Sequence, residues 1–509
     1  MKTKKLLFFI AAALIFSFVF AALASCGNDT AEQGDVKPPA DADGDDQGAA
    51  DSSGGAAEAE EEEKYQFPDK NYNGYTIKLL GPDHWWAMPD FKAEISEVTG
   101  EEEENGDPLN DALYKRNRIV MDGLGVEIAA TLVGGPEARA KKSIQAGSDD
   151  YDAVFTDSAQ AGSLASQGLY YDLHGVPGLE LDRWYWNQNA HNSAELLGKL
   201  YFTTSDAHVI TNDAIWIIYF NKKIHQDLGL ENPYNLVREG KWTVDAYYNM
   251  ARDAVQDIDG DGKWTVADRW GISTHGLAFL AYLICQEQSL VRLNEAGEPY
   301  LITPDDKFVN AFTKAFQLMQ KENGVFLDSQ GSYPGRTADL DHATKTFMAD
   351  MSLFCAEVLS HARVFREMTA DFGILPHPKH DEFQQNYYTF MIDTVPAFGI
   401  PITADPERAG VFMDAFTAIS GEVLMPAYYK ISLEGKFTRD EDSIEMLDII
   451  RDGRVFDRSV LFNWGGFYSA IITYGTGREG TNPASVFEKN AGKVEAAIAK
   501  TIDAYNSMD

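Results

Sequence analysis

The sequence predicts an α/β fold in two lobes, each a sheet flanked by helices. Three observations carry this expectation. Strand-like and helix-like segments alternate from Tyr75 to Phe155, the pattern of a βαβαβ unit with right-handed crossovers and a parallel sheet. Asp213–Asn221 is a continuous run of mainly β-branched and aromatic residues followed by the helix-like Lys222–Leu228, as expected of a strand buried on both faces that feeds a helix. Residues 67–509 are too many for one simple core, so two lobes are the prior.

Taken in order, the chain opens with Lys2, Lys4 and Lys5, the apolar run Leu6–Leu23, and then Ala24, Ser25 and Cys26. A basic region, an apolar region and small residues at a cleavage point describe a signal peptide over residues 1–25. The apolar run is also long enough to span a membrane, but the small residues and the cysteine stand together where cleavage needs them. Leu23-Ala-Ser-Cys26 resembles the lipobox of bacterial lipoproteins, which implies lipidation of Cys26, a lipid anchor in the membrane and a location on the extracellular face of the cell membrane. Residues 26–66 are dominated by Asp, Glu, Gly, Ala, Ser and Pro and end near Glu60–Glu63. They hold too little apolar surface to offset the entropy of ordering, and read as a disordered acidic linker extended by like charge.

Acidic residues number 79 against 43 basic, for a formal charge of -36. With no basic patch or arginine-rich segment, nucleic acid and anionic lipid headgroups are excluded as partners. Cys285 and Cys355 lie far apart with no CxxC or Cys/His spacing, and read as buried apolar residues.

In the first lobe, Tyr75–Leu80, Val126–Leu132 and Tyr151–Phe155 read as strands. Between the first two, Asp107 as N-cap and Pro108 at the first helical position open a helix with an apolar stripe of Leu109, Leu113, Val120 and Leu124, stopped by Gly123 and Gly125. A basic helix with Lys141, Lys142 and Ile144 precedes the third strand. Ligands of open parallel sheets sit beyond the carboxyl ends of the strands. That rule points to Asp83, His84, Trp85 and Trp86 after the first strand and to Thr156, Asp157 and Ser158 after the third; indole faces and carboxylate or hydroxyl acceptors suit a sugar's C–H faces and hydroxyls. Trp184–Asn189 is a second aromatic and polar cluster, lining the cleft or stapling the lobe surface.

Leu200–Thr204 and Ala207–Ile210 read as a short strand pair leading to Asn212 and Asp213 at the mouth of the apolar run. Further on, Asp257, Asp259, Asp261, the Lys263 carbonyl, Thr265 and Asp268 take positions 1, 3, 5, 7, 9 and 12 of a calcium loop, with Gly262 at position 6. Position 12 is Asp where a bidentate Glu is usual, so a structural Ca2+ staple is the expectation. Helical segments at Leu277–Gln286 and Pro304–Lys321 follow; Phe308, Phe312 and Phe316 form a core stripe. Glu357 comes just after Thr346–Phe354, and Tyr387, Tyr388 and Asp393 lie on a later segment with turns at Pro396 and Pro401. Helices are expected at Glu407–Ile419 and Glu441–Arg451. In Phe462–Tyr468, Trp464 stands beside two glycines, either as core or as a stacking platform at the cleft.

The order of strand pair, apolar run ending Tyr219-Phe-Asn-Lys222, then Gly240-Lys-Trp-Thr-Val-Asp-Ala-Tyr247 and Asp371-Phe-Gly-Ile-Leu-Pro-His-Pro-Lys379 resembles the extracellular solute-binding proteins of bacterial ABC importers, the family that includes maltose-binding protein. The resemblance implies a periplasmic-binding-protein-like fold of class II type, two α/β lobes with multiple hinge crossings, and a strand over Thr346–Phe354 that returns toward the cleft between them. It implies residues 67–208 and 355–420 in lobe 1 and residues 209–354 and 421–509 in lobe 2. It implies a small-molecule solute, a sugar or oligosaccharide, held between the lobes and handed to an ABC permease, with no organic cofactor. The candidate contacts are Trp85, Trp86, Thr156, Asp157, Ser158, Asn212, Asp213, Glu357, Asp393 and Trp464.

The rival class is a surface-tethered glycosidase, since Asp157, Asp213, Glu357 and Asp393 offer carboxylates and a retaining enzyme needs two about 5 Å apart; a polysaccharide-adhesion module is a further alternative. Against catalysis, the chain lacks a G-x-S-x-G elbow, an HExxH helix, a P-loop and a dinucleotide fingerprint. The sequence reads as a binder, not an enzyme.

Overall fold

The computed structural model describes residues 64–83, 103–328, 342–433, 441–475 and 483–508. Glu63–Asp509 form one compact unit, and within it are two main sheets. Among the described residues no helix is long and apolar enough to cross a membrane.

The chain enters through β1 (Tyr75–Pro82), β2 (Val126–Val133) and β3 (Ala153–Asp157). β1 runs parallel to β2, with Tyr75 opposite Val126, and parallel to β3, with Leu79 opposite Ala153. The helix between the first two strands is set by its ends. Asp107 accepts the Leu109 and Asn110 amides ahead of Pro108, and Gly125 closes it in the left-handed region, where a residue without Cβ carries little strain.

Ile210–Asp213 is a helical turn leading into β4 (Trp216–Asn221), every residue of which is buried. Then come β5 (Trp270–His275), the hairpin β6 (Val291–Leu293) and β7 (Pro299–Leu301), β8 (Val325–Asp328), β9 (Ser352–Val358) and β10 (Phe372–Leu375). The second sheet has the order β10-β4-β9-β5-β8. β5, β8 and β9 are mutually parallel, while β4 is antiparallel to both neighbours. The short β11 (Thr389–Phe390) pairs with β13 (Arg454–Val455), and β12 (Pro396–Gly399) returns to the first sheet antiparallel to β3.

Four stretches are pinned together where the chain passes between the sheets. Ile215 bridges Met391, the Met391 amide donates to the Val455 carbonyl at 3.1 Å, and the Leu359 amide donates to the Ile215 carbonyl at 2.8 Å. The helix Pro406–Ile419 continues through a π-helical turn, Ser420–Leu424, into the helix Met425–Leu433. Arg116 is buried beneath it, 3.9 Å over the Phe416 ring, donating to the Ala207 carbonyl and the Ser420 hydroxyl.

Several expectations change. The segment 200–210 holds no strand pair: Thr203 alone bridges, exchanging two hydrogen bonds with Phe398. Residues 342–348 are helical and the strand begins at Ser352. The chain does not rejoin the first sheet at 355, because β9 and β10 belong to the second; the return falls between Leu375 and Pro396. The C-terminal part does not belong to one side either. Helix Glu441–Asp452 packs on β10, Arg458–Leu461 packs on the helices Ser158–Ala165 and Gln188–Ala194, and Pro483–Asn506 packs on β7. At the other end, Lys64–Gln66 are docked rather than loose: Tyr65 stands edge-on to Phe67 and Tyr185, and its amide donates to Glu422.

Candidate functional site

At the carboxyl end of β3 the chain turns straight into the helix Ser158–Ala165, so Asp157 is both strand end and N-cap, accepting the Gln160 amide at 2.9 Å. Asp393 is brought beside it from the return segment. The Ser158 amide and hydroxyl both donate to the Asp393 carbonyl, at 3.2 and 2.9 Å, and Tyr468 donates to the Asp393 carboxylate at 3.3 Å. Thr156 is buried and its hydroxyl donates to the Asp157 carbonyl. Burial pushes the Asp157 carboxyl up to about 6, with the Asp393 and Glu137 charges adding to it against the Gln160 hydrogen bond, and burial also raises Asp393. Among the described residues neither carboxylate forms an ion pair with a cation. The sequence thus named four of the five polar residues at this rim, Thr156, Asp157, Ser158 and Asp393; Tyr468 entered only as part of the segment Phe462–Tyr468.

The carboxyl ends of β5 and β9 build a second rim. His275 closes β5 and its Nε2 donates to Glu357 Oε2 at 3.1 Å, while His361 Nδ1 lies 3.8 Å from Glu357 Oε1, which accepts the Val358 amide. Burial alone would raise the Glu357 carboxyl; the charges available on His361 and His275, with the hydrogen bonds, bring it down to about 2. Trp216, the first residue of β4, stands edge-on to His275 with ring centroids 5.0 Å apart. Trp216, His275 and His361 were not singled out from the sequence, where the indole merges into the apolar run. The signal available was His275, a titratable residue ending the buried strand Trp270–His275 before Gly276.

Asn212 and Asp213 are not at a mouth. Both are fully buried at the crossing, where Arg363 holds Asp213 with two 2.9 Å hydrogen bonds and Tyr428 donates to it at 2.6 Å. Asn212 accepts from Tyr429 at 2.8 Å, and Arg454 pairs with Asp206 at 3.0 Å alongside. These side chains tie the crossing segment to the helices that flank it.

Neither a family model nor a curated protein matches the chain. Solved structures do. The ABC substrate-binding protein Lmo0181 from Listeria monocytogenes, in complex with cycloalternan, aligns over 84% of this chain and 99% of its own with TM-score 0.52 and 12% sequence identity. UspC of M. tuberculosis aligns over 83% and 100% with TM-score 0.53 and 12% identity. The chain has the fold of ABC substrate-binding proteins.

Within this substrate-binding fold the remaining candidates fall as follows. Trp464 is 4% exposed, stacked on Phe462 at 4.7 Å, with its N–H donated to Thr501 at 2.9 Å. It is a packed residue, not a platform, because a buried indole N–H needs an acceptor and has one inside the fold. Trp186 and Tyr185 donate to Asp414 of the helix Pro406–Ile419 at 3.1 and 2.8 Å, so the aromatic cluster staples the outer helix rather than lining a rim. Cys285 and Cys355 are buried, and among the described residues neither is in a disulfide. Trp85, Trp86 and Cys26 lie outside the described residues.

In the acidic loop, Asp257, Asp259 and Asp261 offer carboxylate oxygens within 4.8 Å of one another. Asp268 does not join them. It is fully buried, accepting the Ile258 amide at 3.1 Å and the Thr265 amide at 2.7 Å, and the Thr265 hydroxyl lies 3.3 Å from the same carboxylate. The donor set at positions 1, 3 and 5 fits a hard cation that takes oxygen ligands; positions 9 and 12 serve the loop's own backbone, and Lys263 remains a candidate through its carbonyl alone.

Proposed function

We propose that the protein captures a carbohydrate, a sugar or oligosaccharide, between the two rims and delivers it to an ABC permease while anchored through lipidated Cys26 on the extracellular face of the cell membrane. The observation that carries this reading is the pair of polar rims at the carboxyl ends of the parallel strands of both sheets, in a fold shared with a protein solved in complex with cycloalternan. Ligand contacts from both rims favour a closed arrangement hinged at Ile215, Met391 and Val455, and the permease recognises that state. Calorimetry against a panel of neutral oligosaccharides, beginning with whatever co-purifies, tests the reading: binding is expected, with affinity at least tenfold weaker in Asp157→Ala, and no binding across the panel would overturn it.

The same carboxylates argue against a glycosidase. A hydrolytic pair needs one acid held protonated and one base held ionised, yet Asp157 and Asp393 are both pushed upward, Glu357 is tied to imidazoles, and Asp213 is spent on Arg363. Hydrolysis of the panel is expected to be undetectable.

The acidic loop is read as a structural Ca2+ staple held by Asp257, Asp259 and Asp261. Removing Ca2+ with EDTA should lower Tm by several degrees and readdition should restore it; an unchanged Tm removes the metal.

A further inference from the structure

The geometry points to Trp216, His275, Glu357 and His361 as the second sheet's solute-contact site, one that takes a pair of neighbouring hydroxyls on an uncharged part of the solute. This rests on the carbohydrate reading above and names the chemistry of one side of that site.

Position comes first. His275 is the last residue of β5 and Glu357 the next to last of β9, at the carboxyl end of the sheet's parallel strands, the end at which open sheets bind ligands. Trp216 follows directly on the crossing at Ile215. The imidazoles of His275 and His361 form the outer edge of the cluster, 16% and 13% exposed, over a carboxylate that is 4% exposed.

Unfilled hydrogen-bonding capacity comes second. Trp216 is 0% exposed and, among the described residues, its Nε1–H has no acceptor and the buried His361 Nδ1 makes no hydrogen bond. Buried polar groups in folded proteins are nearly always paired, and orphans call for an explanation. Two orphans in one cluster, Trp216 against His275 and His361 against Glu357, are explained together by a ligand.

The third step is complementarity. The indole only donates, the carboxylate only accepts, and an imidazole does either; a hydroxyl, which does both, fits each of them. Charge narrows the class further. Glu357 already has imidazoles for neighbours, so a cationic solute group would compete with them and an anionic one would face the carboxylate. Metal ligation is disfavoured by geometry, since the two imidazoles approach different oxygens of Glu357, and among the described residues only the acidic loop gathers three donor atoms within 4.8 Å.

The test uses the mature chain, calorimetry with maltotriose and mannotriose, and the indole N–H resonances of the 15N-labelled protein. Trp216→Phe keeps the ring and removes only the donor, and His361→Phe removes Nδ1. Each is expected to weaken binding about five- to tenfold, one hydrogen bond's worth, with little change in Tm for Trp216→Phe, and the Trp216 N–H resonance should shift at saturation. Unchanged affinity in both variants, or an unmoved Trp216 resonance in a wild-type protein that binds, would overturn this assignment while leaving the carbohydrate reading intact. Failure of the wild type to bind either trisaccharide would instead overturn the carbohydrate reading, and this site with it.

Discussion

Asp157 works for the helix and against the fold. As N-cap it satisfies the Gln160 amide, yet its charge is carried in a poorly solvated place beside Asp393, and its carboxyl is pushed from 3.8 up to about 6. Between those values the folded form keeps a proton that the unfolded chain has lost, so stability falls as pH rises from about 4 to about 6, and above that the ionised group is a standing cost on the order of 3 kcal/mol. Asn caps a helix as well as Asp does. Asp157→Asn should therefore unfold at a higher temperature than wild type at pH 7 and bind solute more weakly, a trade measured by paired thermal melts and calorimetry; lower stability at pH 7 would show that the burial cost is absent. Trp464 makes the opposite case. Its ring fills space against Phe462 and its N–H is satisfied by Thr501, so Trp464→Ala should cost about 3–5 kcal/mol in urea unfolding, whereas loss of affinity without loss of stability would return it to the rim.

At the scale of elements, what could be read in advance was what local chemistry determines. Asp107, Pro108 and Gly125 bound their helix as expected, Asn221 caps the helix after β4 by accepting the Ile224 amide, and Asp305 caps the helix carrying Phe308 and Phe312. The βαβαβ order of the first sheet follows from period and turn residues alone. Misreadings arose where distant partners decide. Leu200–Ile210 has the composition of a strand pair, but its backbone neighbour is Phe398 from the return segment. Asn212 and Asp213 look like ligand groups because polar residues precede an apolar strand; their partners Arg363, Tyr428, Tyr429 and Arg454 lie at least 150 positions away. Asp157, Ser158 and Asp393 were legible because strand ends in open sheets have a known use, while Trp216 was hidden inside the apolar pattern that identified its strand. The crossing yields its own expectation. Asp213→Ala leaves the Arg363 guanidinium without its carboxylate and should cost about 3–5 kcal/mol, while Tyr428→Phe removes one hydrogen bond and should cost about 1 kcal/mol. Because Tyr428 follows the π-helical turn beside the crossing, the milder variant should also shift the open and closed populations seen by small-angle scattering with and without solute.

For the molecule as a whole, acid stability is a contest between buried groups of opposite kind. His377 and His191 are buried, and burial lowers them to about 3 and about 4. On acidification the unfolded chain takes up a proton at each from about pH 6.5, while the folded form refuses it, so the stability these groups supply is full above 6.5 and is lost as pH falls towards 3–4. Asp157 acts in reverse across pH 6 to 4, and the raised carboxyls Asp393, Asp414 and Asp457 act in its direction. Each proton of difference between the two states changes stability by about 1.4 kcal/mol per pH unit. Among the described residues His377 makes no hydrogen bond through either ring nitrogen, so His377→Leu removes an acid-sensitive group without breaking a described partner, and its stability between pH 6 and pH 5 should fall less steeply than wild type by about that slope. Asp157→Asn, lacking the opposing group, should fall more steeply by a similar amount. Calorimetric melts of wild type and both variants at pH 7, 6 and 5 decide it. Parallel curves for all three would mean that the charges buried in this fold are matched in the unfolded chain, and that acid sensitivity arises instead from the surface carboxylates that give the protein its charge of -36.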